Sequence, residues 1–158
     1  MEKVFHFDAP REPYESDAAV IWCFDHRFRL TLSKFLKRRA ISAPDVITVA
    51  GGAKSLTSPA GDPDGEFVLQ QIRTSIFLHK TRRLVLMLHS DCGAYGGLPA
   101  FRNDTNAERA HHVEQLRFAA EFVTQAFPSL SVETYFVDFE GVWSVALAPS
   151  LETLVAVR

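Results

Sequence analysis

Short apolar runs alternate along this chain with longer segments in which apolar residues recur every three or four positions, and that alternation predicts an α/β fold. Residues 18–23, Ala-Ala-Val-Ile-Trp-Cys, are apolar throughout, as expected of a parallel strand covered on both faces. Over residues 30–40, Leu32, Phe35, Leu36 and Ala40 share helical spacing among Lys34, Lys37, Arg38 and Arg39. This predicts an amphipathic helix whose basic end complements the carbonyl end of its dipole. Pro44 prevents its continuation. Residues 46–49, Val-Ile-Thr-Val, form a second strand by their β-branching, and Gly51-Gly52 stop it with a turn tolerant of positive φ.

A loop containing Pro59, Gly61, Pro63 and Gly65 is expected next, then a helix over residues 67–80 marked by Phe67, Ile72, Ile76 and Leu78, and a third strand over 84–88. Right-handed crossovers make such strands parallel and gather their carboxyl ends on one edge of the sheet. The longest helix spans residues 106–127, with Val113, Leu116, Ala120, Val123 and Phe127 along one side and Pro128 beyond it. Residues 132–139 then alternate in a strand pattern. Glu140-Gly141 turns the chain back into 142–147 as an antiparallel partner, and Ser150 is placed to cap a final short helix ending near Arg158.

The pattern therefore describes one domain over residues 1–158, a mainly parallel sheet flanked by helices with a C-terminal antiparallel strand. The length of 158 residues fits one core. A hydrophobic fraction of 47%, a charged fraction of 23% and a net charge of -2 are ordinary globular values, and they supply no field that would collect nucleic acid or an anionic membrane. No apolar stretch approaches the ~20 residues of a membrane span. The acidic start, broken by Pro10 and Pro13, does not read as a signal peptide. Two cysteines, Cys23 and Cys92, make a disulfide scaffold a poor reading, so thiol ligands in a reducing, cytoplasmic setting are expected.

Chemistry concentrates in two places. Cys23-Phe24-Asp25-His26-Arg27 follows the first strand and His89-Ser90-Asp91-Cys92-Gly93 follows the third, and loops at the carboxyl ends of parallel strands line the ligand crevice of open α/β sheets. Thiolate and imidazole are the ligands zinc prefers. Cys23, His89 and Cys92 would leave a fourth position for water or substrate, or for a further ligand from Asp25 or His26. Asp25 and Arg27, two residues apart, could project to a common side of an extended segment as a carboxylate–guanidinium pair. Gly93 would let the backbone approach closely. The remaining histidines, His6, His79, His111 and His112, read as solvent-exposed, and Tyr95, flanked by glycine, as a packing cover for a turn.

Cys23-x-Asp25-x-Arg27 with His89-x-x-Cys92-Gly93, and Ala50-Gly51-Gly52 between them, resembles the zinc signature of the β-class carbonic anhydrases. The resemblance implies that Cys23, His89 and Cys92 bind one Zn2+ per chain and that Asp25 and Arg27 position a zinc-bound hydroxide. The implied reaction is hydration of CO2 to bicarbonate, in a homodimer or higher homo-oligomer. The sequence departs from that family at Thr48 and Val49, where Arg-Asn is usual, and at His26, where a small residue is usual; it also lacks the long N-terminal helical arm of larger members. Two other functions fit the same residues: hydrolysis of carbonyl sulfide or carbon disulfide, and metal binding without turnover.

Overall fold

The computed structural model describes residues 1–58 and 61–147. Five strands form one sheet in the order β2-β1-β3-β4-β5: β1 (Ala18–Cys23), β2 (Pro44–Val49), β3 (Arg83–His89), β4 (Ser131–Val137) and β5 (Val142–Ser144). The first four run parallel and β5 pairs antiparallel with β4, so the expected α/β sheet with its terminal antiparallel strand is present. The expected final helix over 150–158 and Pro59 lie outside the described residues. Among those described, no helix is long and apolar enough to cross a membrane.

Alternation along each strand sorts the core into two layers. Ala19, Ile21, Leu84, Leu86, Leu88 and Phe136 pack beneath α2 (Pro63–His79) and α3 (Thr105–Ala126), while Ala18, Val20, Trp22, Val85, Met87 and Val137 pack against Phe28 and Leu36 on the other face. Leu36 belongs to α1 (Arg29–Arg38). Because helices cover both faces, β1 and β3 carry no polar alternation, which is why they read as continuous apolar runs.

Element limits differ from the pattern in instructive ways. Pro44 opens β2 instead of only ending a helix; β2 is an edge strand, where a missing N–H costs no ladder bond. The helix expected from residue 67 begins at Pro63. Asp62 caps it by accepting from the Asp64 and Gly65 amides, and Pro63 at the first helical position is pre-set for it. Gly65, expected in a loop, is buried in the helix because a Cβ there would lie 2.9 Å from the Ser55 carbonyl oxygen. The first helix ends two residues short of Ala40, which takes a left-handed φ of 54°. The last strand stops at Ser144.

One half-buried carboxylate ties three segments together. Glu133 on β4 accepts from Arg83 Nε at 2.5 Å, from Arg39 Nη2 at 3.0 Å and from the Tyr135 hydroxyl at 2.5 Å. Burial opposes its ionisation, but the Arg83 guanidinium, with Tyr135 and Arg39, outweighs burial and holds its pKa at about 2. A folded pKa below the unfolded value of ~4.3 means that the contribution is complete above that pH and is lost as pH falls toward 2. Glu133→Gln is therefore expected to cost on the order of 2 kcal/mol near pH 7, a deficit that shrinks below pH 4. Urea unfolding of both proteins across that range measures it, and an equal deficit at pH 3 and pH 7 would rule out the ion pair as the source.

Candidate metal centre

The strand order reverses between β1 and β3: the chain moves from β1 to β2 on one side and returns to place β3 on the other. Such a switch point opens a crevice at the carboxyl ends of the two strands. Cys23 is the last residue of β1 and His89 the last of β3. The loop after β3 turns sharply at Asp91, which adopts a left-handed φ of 53°, and brings Cys92 back beneath the strand ends. One ligand atom each from Cys23, His89 and Cys92 then lies within 4.8 Å of the other two, and all three residues are buried.

The imidazole is fixed by its surroundings. Trp22 and Phe28 pack against it with ring centroids 5.7 and 4.9 Å away, and Nδ1–H donates to the Ser90 carbonyl oxygen at 2.8 Å. In the neutral ring that bond sets the tautomer, with the proton on Nδ1 and the lone pair on Nε2. Nε2 is buried and has no hydrogen-bond partner among the described residues. A buried acceptor directed toward two sulfurs suits a borderline metal cation better than an empty interior.

The sulfurs are prepared in the same sense. Hydrogen bonding from the Cys92 thiol, aided by the Gly51 amide 3.4 Å from Sγ, lowers the Cys23 thiol to about 4 despite burial. Cys92 is raised in turn as the donor of that shared proton. The Gly51-Gly52 turn makes this packing feasible. A Cβ on Gly52 would stand 2.5 Å from the Met87 carbonyl oxygen and 3.2 Å from the Cys23 amide nitrogen, at a φ of 57°. Gly52→Ala is thus expected to destabilise the fold by about 3 kcal/mol, combining a strained φ with overpacking, and to spread the two strand ends. Thermal unfolding together with the reactivity of Cys23 toward a thiol reagent checks both effects. By contrast, a Cβ at Gly93 meets nothing within 4 Å, so the expected close approach occurs at Gly52 and not at Gly93.

Asp25 and Arg27 are joined, though not through an extended segment. Asp25 caps a 3₁₀ turn over His26–Phe28 and accepts from the Arg27 amide at 3.0 Å, and the turn folds the Arg27 side chain back onto it. Arg27 Nε lies 3.1 Å from both carboxylate oxygens and Nη2 is 2.7 Å from Oδ2. These bonds hold the Asp25 carboxyl at about 2, and the Arg27 guanidinium is raised. Asp25 Oδ2 stands 4.0 Å from His89 Nε2, beside the ligand cluster and outside it. His26 is exposed and takes no part.

Two participants escaped the sequence reading. Asp91 accepts Arg27 Nη1 at 2.8 Å through Oδ2 and Nη2 at 2.9 Å through its carbonyl oxygen. Its position between His89 and Cys92 was the available signal. Glu108, in the first turn of α3, accepts from the Asp91 amide at 2.6 Å; helix periodicity marked it as one polar position among many. Of the four histidines expected to be exposed, His6 is, His79 and His111 are half-buried, and His112 is 0% exposed and packs against Tyr95 and Phe136. Burial lowers it to about 4, so it stays neutral. Tyr95 covers it as a packing residue.

Comparison with known proteins agrees with this geometry. Residues 14–147 match the model of a family described as "Putative carbonic anhydrase". Uncharacterized proteins of Rickettsia bellii and Rickettsia conorii are 25% and 26% identical over 131 residues, 81% of this chain and 80% and 70% of theirs. Among solved structures, carbonic anhydrase from Streptococcus mutans superposes with a TM-score of 0.60 at 17% identity, covering 88% of each chain. The β-carbonic anhydrase isoform I of Trichomonas vaginalis gives 0.60 at 12% identity over 91% of this chain and 90% of that one. The chain belongs to the "Putative carbonic anhydrase" family, as a divergent member with the β-carbonic anhydrase fold.

Proposed function

We propose that this protein is a zinc-dependent carbonic anhydrase that hydrates CO2 to bicarbonate, with Cys23, His89 and Cys92 as the zinc ligands and Asp25 and Arg27 as the catalytic dyad. The observation that carries the reading is the conjunction of an orphaned His89 Nε2, two neighbouring sulfurs and a carboxylate held just outside the cluster by a guanidinium. Three soft or borderline donors with no fourth among the described residues fit zinc in an open site. When bound, zinc would supply a Lewis acid that brings the pKa of water near 7. Asp25, kept ionised by Arg27, is the acceptor that orients the attacking group, and Arg27 prevents the carboxylate from moving onto the metal.

Stopped-flow measurement of CO2 hydration by zinc-loaded protein, with Cys92→Ser as control, tests the activity. Catalysis by the wild type that Cys92→Ser removes supports the reading; no rate above buffer in fully loaded protein defeats it. Thr48 and Val49 favour a second reading, a metal-binding relative without turnover. Val49 packs into the core where the family's polar pair usually stands, and the same assay separates the two.

The reading also implies assembly of at least two chains. Val46 on edge strand β2 and Phe67, Phe77 and Leu78 on α2 are exposed, apolar surface of the kind a second copy covers. Sedimentation at micromolar concentration is expected to give a dimer or larger, and a monomer alone would remove this part of the proposal.

A further inference from the structure

Glu108 has an unusual position for a carboxylate. It is 2% exposed, yet among the described residues it meets no lysine or arginine; its nearest ionisable contact is His112 Nε2 at 3.9 Å. Burial pushes its carboxyl above the ordinary glutamate range. A carboxyl group placed at this cost, with a hydrogen bond of 2.6 Å to one backbone amide, is explained by what that amide belongs to.

The amide is that of Asp91, a non-glycine residue in the left-handed region, where its conformation persists only if neighbours over-determine it. Asp91 is held from several sides. Glu108 takes its N–H, the Leu98 amide donates to Oδ1 at 2.9 Å, and Arg27 donates to Oδ2 and to the carbonyl oxygen. A Cβ on Gly97 would stand 3.0 Å from Oδ1, so glycine there keeps the carboxylate's place clear. Arg27 is thereby clamped between two carboxylates, Asp25 on one side and Asp91 on the other. The side chain is 44% exposed, and without Asp91 its remaining carboxylate partner would be Asp25, the group it has to hold in place.

We infer that Glu108, acting through Asp91, braces Arg27 and so holds Asp25 off the metal ligands; Glu108 and Asp91 are positioning residues of the site. The inference rests on the proposed metal function and deepens it, because it assigns control of the fourth coordination position to the first turn of α3. The role of Glu108 is to present an acceptor oxygen, so glutamine should replace it and alanine should not. Asp91→Asn is close in shape but exchanges an acceptor of the Arg27 bonds for a donor.

The test uses cobalt(II)-loaded full-length protein and azide as a probe of the open coordination position, read by visible absorption. Relative to wild type, Asp91→Asn and Glu108→Ala are expected to weaken azide binding about tenfold or more, and Glu108→Gln by less than about twofold. Adding Asp25→Ala to either weakened variant is expected to restore azide binding, since no carboxylate then remains to occupy the position. A merely structural role for Glu108 would not be reversed by removing Asp25. Azide binding by Asp91→Asn within about twofold of wild type, or failure of Asp25→Ala to restore it, overturns the inference. Wild type that loads cobalt and binds azide but does not hydrate CO2 defeats the proposed activity, while the dependence on Asp25 still decides the brace.

Discussion

His89→Ala is expected to reduce bound zinc from near one per chain to below about a tenth, and Cys23→Ser and Cys92→Ser to reduce it comparably, because a site of three protein donors has none in reserve. Among the described residues Asp25 is the one carboxylate within reach, 4.0 Å from His89 Nε2, and Arg27 retains it. His89 should show the sharpest loss. Its ring is fixed by Trp22, Phe28 and the Ser90 carbonyl, so alanine removes a donor that was already oriented and leaves a hole among buried aromatic groups. Elemental analysis after dialysis measures occupancy, and circular dichroism separates loss of metal from loss of fold. Full zinc occupancy in all three variants would refute the site.

Arg27→Ala is expected to retain zinc yet lower CO2 hydration about 10–100-fold, the usual cost of removing a group that orients a metal site from outside its ligand set. The guanidinium supplies most of the bonds that fix Asp25. Without it the carboxylate loses both its counter-charge and its tether, and the nearest cationic centre would be a metal bound by the cluster. Asp25→Ala should also keep the metal and lose rate, but for the opposite reason: the position stays open and the acceptor is gone. The two variants are therefore expected to differ in azide affinity, weakened in Arg27→Ala and preserved in Asp25→Ala, while both lose turnover. Retention of full activity by Arg27→Ala at every pH would show that the dyad does not serve the reaction.

These tests bear on residues that were legible to very different degrees. Cys23, His89 and Cys92 could be named beforehand because each ends, or closely follows, an apolar run that only a strand covered on both faces explains, and because two thiols and an imidazole in that setting form a recognisable donor set. The Asp25–Arg27 pair was found for a reason that fails in detail: the two meet across a 3₁₀ turn capped by Asp25 and not along an extended segment. Local spacing fixed the partners but not the backbone path. Pro63 and Gly65 were misplaced in a loop because proline and glycine have two uses, and only the Asp62 cap and the Ser55 carbonyl distinguish them.

By itself, then, the sequence determined the α/β layering and the parallel strands, which follow from side-chain period, and the pairing of Asp25 with Arg27, which stand two positions apart; it named Cys23, His89 and Cys92 as candidate donors at two separate strand ends. Tertiary structure alone decided the rest. It placed the β1 and β3 ends side by side at the reversal of strand order, put the required close approach at Gly52 and not at Gly93, buried His112, and joined Glu108 to Asp91 across 17 positions. The physical reason is that a hydrogen bond or a close contact between distant segments depends on where two surfaces are packed, and periodicity records only that a residue faces a core, never which residue it meets there.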